Sequence, residues 1–354
     1  MALRFSRWRL IEWLVLLGGI VLLCVLGIVH FAKRSGNSPI DALALVPGRI
    51  ALGRQLFDDP RLSSDGTIRC ASCHIPEQGY ADGRRVAIGV GGRAGTRNVP
   101  SLMTIEVARE TAFFWDGRRM SLEQAVLDPL TNPVEMGLRD QDELLLRIRQ
   151  NPTYVQEFAQ AFPGTAQAIT PEHVGVVLAS YVRSLRPPES AYDRFLHGDK
   201  AALSPRALQG LAIFKGKGEC VECHSLENAM FTDHAYHRTG VGIDGIAAKL
   251  PELTTGVIQR SLAGGEIGNR VATHADEAQL GRFNVTRNPA DIGLFRTPSL
   301  RYVAHTAPYM HDGSIATLDA AINNEVYYRS MQAGHPLQLS VEDRENLEAF
   351  LEAL

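Results

Sequence analysis

Two pentapeptides constrain this chain more than any other feature: Cys70-Ala-Ser-Cys73-His74 and Cys220-Val-Glu-Cys223-His224. They use four of the five cysteines in 354 residues. Two thiols three residues apart lie roughly one helical turn apart, so both can reach one edge of a flat ring. The adjacent histidine then lies beneath that ring. This is the spacing that attaches a c-type haem through two thioether bonds, with the imidazole on iron. Two other chemistries use similar strings. A zinc ion could gather all four cysteines, and a redox dithiol needs the cysteine pair but no histidine. A histidine in the same place in both copies favours two covalently attached haems.

Residues 13–29, WLVLLGGIVLLCVLGIV, are unbrokenly apolar, and the apolar character resumes after His30 at Phe31 and Ala32. About twenty helical residues span the hydrocarbon of a bilayer. Arg4, Arg7 and Arg9 precede the segment and argue for a cytoplasmic amino terminus, although Lys33 and Arg34 follow it. The stretch after it offers no good small-x-small cleavage site. An uncleaved single-pass anchor is therefore expected over a cleaved signal peptide, with the bulk of the chain on the periplasmic side.

The whole chain has a net charge of −3, which gives nucleic-acid binding no electrostatic footing. The first 35 residues hold five of the 36 basic side chains and one of the 39 acidic ones, so the remainder is the more acidic part. That balance would suit a basic partner, or simply a soluble acidic surface.

Beyond the anchor the patterning is helical. Thr170-Pro171 opens a stretch whose Val174, Val177, Leu178, Tyr181, Val182 and Leu185 repeat at helical spacing, and Ser204-Pro205 opens another carrying Leu208, Leu211, Ile213 and Phe214. Ser121-Leu-Glu-Gln124 reads as a capping box, and Ser340 opens a final helix with Leu347, Phe350, Leu351 and Leu354. Alternating strand patterns of useful length are missing. Gly79–Pro100 and Thr239–Pro298 read as long Gly/Pro-rich loops. Two prolines at Arg186-Pro187-Pro188 stop the preceding helix and suggest a boundary. The expected organisation is an anchor over 1–35, a haem-bearing unit over 36–188 and a second over 189–354.

Several further strings surround the cysteines: LGRQLFDDPRLSSDGTIRCASCHIPEQGYADG (52–83), TRNVPSL (96–102), FFWDGR (113–118), NPVEM (132–136) and FRTPSLRYVAHTAPYMHDGSIATL (295–318). Together they cover most of the chain after residue 45 and resemble the bacterial dihaem cytochrome c peroxidases and their relative MauG. The resemblance implies an all-α fold of two cytochrome c-like haem domains with long loops, joined at a calcium ion. It also implies that the His74 haem is peroxidatic and the His224 haem transfers electrons. Hydrogen peroxide would be the oxidant. The donor would be a small cytochrome c or copper protein, or, as with MauG, an oxidisable protein substrate. A non-enzymatic dihaem carrier or sensor is the alternative from another class.

Residue by residue, the resemblance places Glu135 in the distal pocket as the acid–base group for O–O cleavage, with Pro129 shaping that pocket. Trp115 matches a tryptophan between the haems that relays charge, although a buried core tryptophan would read the same. Asn98, Thr306 and Pro308 match calcium ligands, the last two through their carbonyls. Where many relatives carry a loop histidine that caps the first iron, this chain has Val90, and no histidine lies between His74 and His173. The first haem is therefore expected to keep an open position. A glutamine found in some relatives has no counterpart: Ala125 stands in its place, one residue after Gln124. The far-side ligand of the second haem falls by count on Glu325, with Tyr327 or Tyr328 within a one- or two-residue shift and Met331 beyond. Met310 and His311 fit the tight turn at the calcium seam. His234 and His237 are expected near a haem edge, while His173 and His197 fit helix packing or the surface.

Overall fold

A computed structural model describes residues 46–105, 112–227, 230–265 and 268–354. The apolar segment 13–32 lies outside the described residues, as does Cys24. Among the described residues no helix is long and apolar enough to cross a membrane.

Among those residues, eight helices have eight or more residues: α1 Pro47–Phe57, α2 Gln141–Arg149, α3 Pro152–Ala161, α4 Pro171–Ser184, α5 Pro205–Lys215, α6 Leu250–Leu262, α7 Leu318–Ala333 and α8 Val341–Leu351. The starts follow the expected caps. The hydroxyl of Thr170 accepts from the amide of His173, that of Ser204 from Ala207, and that of Ser340 from Asp343. Helix α4 ends at Ser184, just before the two prolines. Ser121 likewise caps Gln124, but only one turn, Leu122–Ala125, follows.

Helix α1 crosses α4 at Gly53, where a methyl group would stand 2.2 Å from the carbonyl oxygen of Val177. The same device recurs between α5 and α8, where a methyl on Gly210 would stand 1.9 Å from the carbonyl oxygen of Asn346. Each crossing builds a core beside one cysteine string. The first holds Leu52, Leu56, Leu144, Ile148, Phe158, Val174 and Val177; the second holds Leu211, Phe214, Phe231, Ile322, Leu347 and Phe350. Burying each of these side chains stabilises the fold by about 1.5–3 kcal/mol. Leu208, at an apolar position of α5, is instead 39% exposed.

Two features depart from the sequence reading. The segment 239–298 is not simply loop: it contains α6 and short helices around a small third core of Ile246, Val257, Leu280 and Phe283. Frequent Gly and Pro hide it, because they punctuate helices that are held by packing rather than by propensity. The fold also includes a short ribbon, β1 Tyr236–Arg238 paired antiparallel with β2 Leu294–Arg296. Three residues a side are too few for alternation to be visible.

Candidate functional site

Both cysteine strings take the same local form. Cys70–Ser72 and Cys220–Glu222 are single 3₁₀ turns, and the amides of His74 and His224 donate to the carbonyls of Cys70 and Cys220 at 2.9 Å. Each imidazole is then fixed from behind. His74 Nδ1 lies 2.8 Å from the carbonyl oxygen of Tyr80, and His224 Nδ1 lies 2.8 Å from that of Phe231. A carbonyl can only accept, so Nδ1 carries the proton and Nε2 is left as a lone pair, as iron requires. Tyr80 and Phe231 both adopt left-handed backbone, φ 58° and 54°, which turns those carbonyls toward the rings. Burial lowers the pKa of both histidines, against the carbonyl bonds, and takes His74 to about 4. Both are neutral at physiological pH.

Burial also pushes the thiol of Cys70 up to about 12 and that of Cys73 up to about 11, so neither resembles the low-pKa thiolate of a redox dithiol. The zinc alternative fails as well. Among the described residues the group of three potential ligands drawn together is Cys223, Asp233 and His237, and the four cysteines form no such cluster.

A continuous cavity of about 450 Å³ joins the two strings. Cys70, Cys73, His74, Cys220, Cys223 and His224 all line it, as do Trp115, Pro129, Glu135, Asn98, Thr306, Pro308 and Glu325. Paired thiols, a neutral imidazole with a free Nε2 and an apolar chamber in front of it fit a c-type haem at each end.

On the His74 side, Glu135 sits on a tight chain segment: its amide donates to Asn132, and the amide of Met136 donates to the carbonyl of Pro129 at 3.1 Å. Burial raises the pKa of Glu135 above the usual carboxylate range; Arg118 opposes the shift and Asp128 adds to it. Arg118 lines the same cavity, stacks on Phe114 at 3.6 Å and pairs with buried Asp116 at 3.1 Å. Ala125 also faces the cavity, while Gln124 is exposed outside it. Val90 is fully buried, yet it is Gly89 that lines the cavity; the Val90 side chain packs beside Gly137.

Trp115 is anchored within the FFWDGR turn. Its indole Nε1–H donates to the carbonyl of Asn98 at 3.0 Å, and its own carbonyl accepts from the amide of Arg296 at 2.8 Å. Asn98 is buried; its Nδ2 donates to the carbonyl of Arg84 at 3.1 Å, and its amide to that of His311 at 3.0 Å. His311 and Met310 belong to a tight turn closed by the Gly313 amide on the Met310 carbonyl.

On the His224 side, Glu325 projects from α7 into the cavity together with Arg329. Burial pushes its carboxyl up to about 7, against Asn324, Arg329 and His237. The neighbouring candidates lie elsewhere: Tyr327 is 60% and Met331 63% exposed, and Tyr328 covers Gly240 without lining the cavity. His237 reaches the cavity and pairs with Asp233 at 2.7 Å, whereas His234 is not among the lining residues. His173 stacks on Phe162, and His197 stands at the surface beside Glu189.

Sequence reasoning passed over Arg118, Arg97 and Arg329, which also line the cavity. Arg118 and Arg97 lay inside the strings FFWDGR and TRNVPSL without being singled out; Arg329 carried no local signal. Burial lowers Arg97 to about 10.

The fold and this site define a haem-dependent oxidoreductase with two c-type attachment sites. Residues 47–201 match the family model described as di-haem cytochrome c peroxidase. The methylamine utilization protein MauG of Methylorubrum extorquens is 34% identical over 315 residues, covering 88% of this chain and 79% of its own. A cytochrome-c peroxidase of Denitromonas iodatirespirans, IdrP2, is 35% identical over 86% of this chain and 81% of its own. A MauG-like protein associated with microbial copper homeostasis superposes with a TM-score of 0.70 at 30% identity, over 88% of this chain and 90% of that one. The chain belongs to the di-haem cytochrome c peroxidase family.

Proposed function

We propose that this chain reduces hydrogen peroxide at the His74 haem and draws electrons through the His224 haem. The two haems supply the iron redox chemistry; the protein fixes where protons and charge move. One observation carries the reading: the cavity in front of His74 is lined by a half-buried carboxylate, Glu135, and the segment 75–172, which carries it, contains no histidine. These residues would leave the first iron a position for peroxide without prior reduction.

In this reading the Glu135 carboxylate takes a proton from one peroxide oxygen and returns it to the other, and its raised pKa poises it for both steps. Pro129, whose carbonyl is held by the Met136 amide, keeps that wall of the pocket narrow. Trp115 relays charge between the two ends of the cavity. Glu325 would face the second haem from α7, and an anionic carboxylate there would hold its potential below that of a methionine-ligated haem. Asn98 Oδ1 and the carbonyls of Thr306 and Pro308 would hold a calcium ion, which would tie the halves 36–188 and 189–354 together. The segment 1–35 anchors the chain with this site on the periplasmic side.

The similarity to MauG supports a second outcome at the same site, in which an oxidisable protein side chain replaces a small cytochrome c or copper protein as donor. A spectrum of the ferric di-haem protein tests the common premise: one high-spin haem is expected, and two low-spin haems would instead indicate a carrier. Peroxide titration with a reduced small cytochrome then separates the donors, since turnover of that cytochrome marks the peroxidase.

A further inference from the structure

We propose that Arg97 is a binding group for a haem propionate. This rests on two bound haems and gives a role to a residue that lies in the string TRNVPSL but was assigned none there.

Arg97 lines the cavity that joins the two cysteine strings. Its Nη2 donates to the carbonyl of Ala278, whereas its Nε and Nη1 are buried and have no hydrogen-bond partner. A guanidinium with two buried donors unused is costly, because one carbonyl does not replace the water its charge has lost. Two other cavity arginines have carboxylate partners. Arg118 is paired with Asp116, and Arg301 with Asp193. The Phe295 ring lies 5.0 Å from its guanidinium carbon, with His311 stacked on that ring at 3.5 Å; the carboxylates that act on it from a distance, Asp116 and Asp312, face Arg118 and Arg85 and give Arg97 no hydrogen bond among the described residues.

The surroundings hold the guanidinium in place rather than neutralise it. The hydroxyl of Thr96 donates to the carbonyl of Val271, and the carbonyl of Arg97 accepts from the amide of Ala87 at 3.1 Å. The residue is thus clamped between the segment that follows the first string and the short helices at 268–278. Haem brings two carboxylates on one porphyrin edge. A planar guanidinium takes a carboxylate through charge-assisted N–H···O bonds, which an ammonium cannot reproduce in geometry.

The test uses the full chain with both haems attached, as Arg97→Gln and Arg97→Lys, with haem content measured first. Midpoint potentials of both haems are then recorded against pH by spectroelectrochemistry. Loss of the cation leaves a propionate charge uncompensated, which stabilises ferric iron. The potential of one haem should fall while the other holds, more in the Gln variant than in the Lys variant. Its pH dependence should strengthen as that propionate becomes easier to protonate. Resonance Raman should show a shifted propionate-bending band for the same haem. Potentials, pH dependence and propionate band all unchanged in a two-haem variant would overturn the assignment. If Arg97→Gln fails to load, Arg97→Lys decides by the same measurements. A wild-type protein carrying fewer than two haems would sink the di-haem premise instead.

Discussion

The amide of Val90 donates to the carbonyl of Glu135 at 2.9 Å, so the loop after the first cysteine string is bonded directly to the segment that carries the distal carboxylate. Gly89 makes the approach possible. A methyl group there would stand 2.1 Å from the carbonyl oxygen of Val134 and 2.6 Å from the Cα of Glu135. Both obstacles are backbone and cannot rotate away. Gly89→Ala should therefore destabilise the protein by about 1–3 kcal/mol, the usual cost of overpacking, and slow the reaction with peroxide by displacing Glu135. A thermal melt and a stopped-flow peroxide rate check this, with both haems still covalently bound. An unaltered melt and rate would mean that the two segments slide apart freely.

Glu135→Gln keeps the shape of the side chain and removes its ability to take a proton. The peroxide reaction should slow by roughly 10²–10⁴-fold, the range typical of a lost general acid–base group. The wild-type rate should fall as pH drops through the Glu135 pKa, because the carboxylate form accepts the first proton. Since burial raises that pKa, the acid limb should lie above the ordinary Glu value of about 4.3, and it should vanish in the Gln variant. A limb that survives in Glu135→Gln belongs to another group.

Much of this architecture was legible because its signals are local. The hydroxyls of Thr170, Ser204 and Ser340 cap the helices they announce, and each cysteine string carries its own spacing. What could not be read depends on neighbours distant in sequence or on backbone sign. Nothing in the letters says that the Tyr80 and Phe231 carbonyls turn onto His74 and His224; a left-handed φ at a non-glycine residue does that. Nor does the sequence reveal that two nitrogens of Arg97 are buried without a hydrogen-bond partner, which follows from packing by residues near 278 and 295. The count from His311 left Glu325, Tyr327 and Tyr328 open. The turn of α7 then directs Glu325 to the cavity and Tyr327 to solvent.

That orientation has an electrochemical consequence. Glu325→Met exchanges an anionic side chain for a neutral thioether facing the same cavity, so the midpoint potential of the His224 haem should rise. Tyr328→Phe, at a residue that does not line the cavity, should leave both potentials in place. Spectroelectrochemistry of the two variants decides. A potential that responds to Tyr328 and not to Glu325 would move the far-side group by three residues.

Trp115 and the proposed calcium site meet at Asn98. The Asn98 carbonyl accepts the indole N–H, its amide and Nδ2 bond to His311 and Arg84, and its Oδ1 accepts no hydrogen bond among the described residues. A calcium ion on that oxygen would fix the peptide on which Trp115 hangs, so the metal would control the relay without touching it. Removing calcium with a chelator should slow the sharing of oxidising equivalents between the haems by about fivefold or more, the low end of ordinary coupling between sites, and added calcium should restore it. Asn98→Ala should impose the same defect with no rescue. Trp115→Phe should be slower still and indifferent to chelator, because the relay itself is gone. Rapid mixing with peroxide, followed at wavelengths that report each haem, gives all three rates. Rates insensitive to chelator in the wild type, with calcium absent from the purified protein by elemental analysis, would remove the ion from the mechanism and leave Asn98 as a purely hydrogen-bonding support for Trp115.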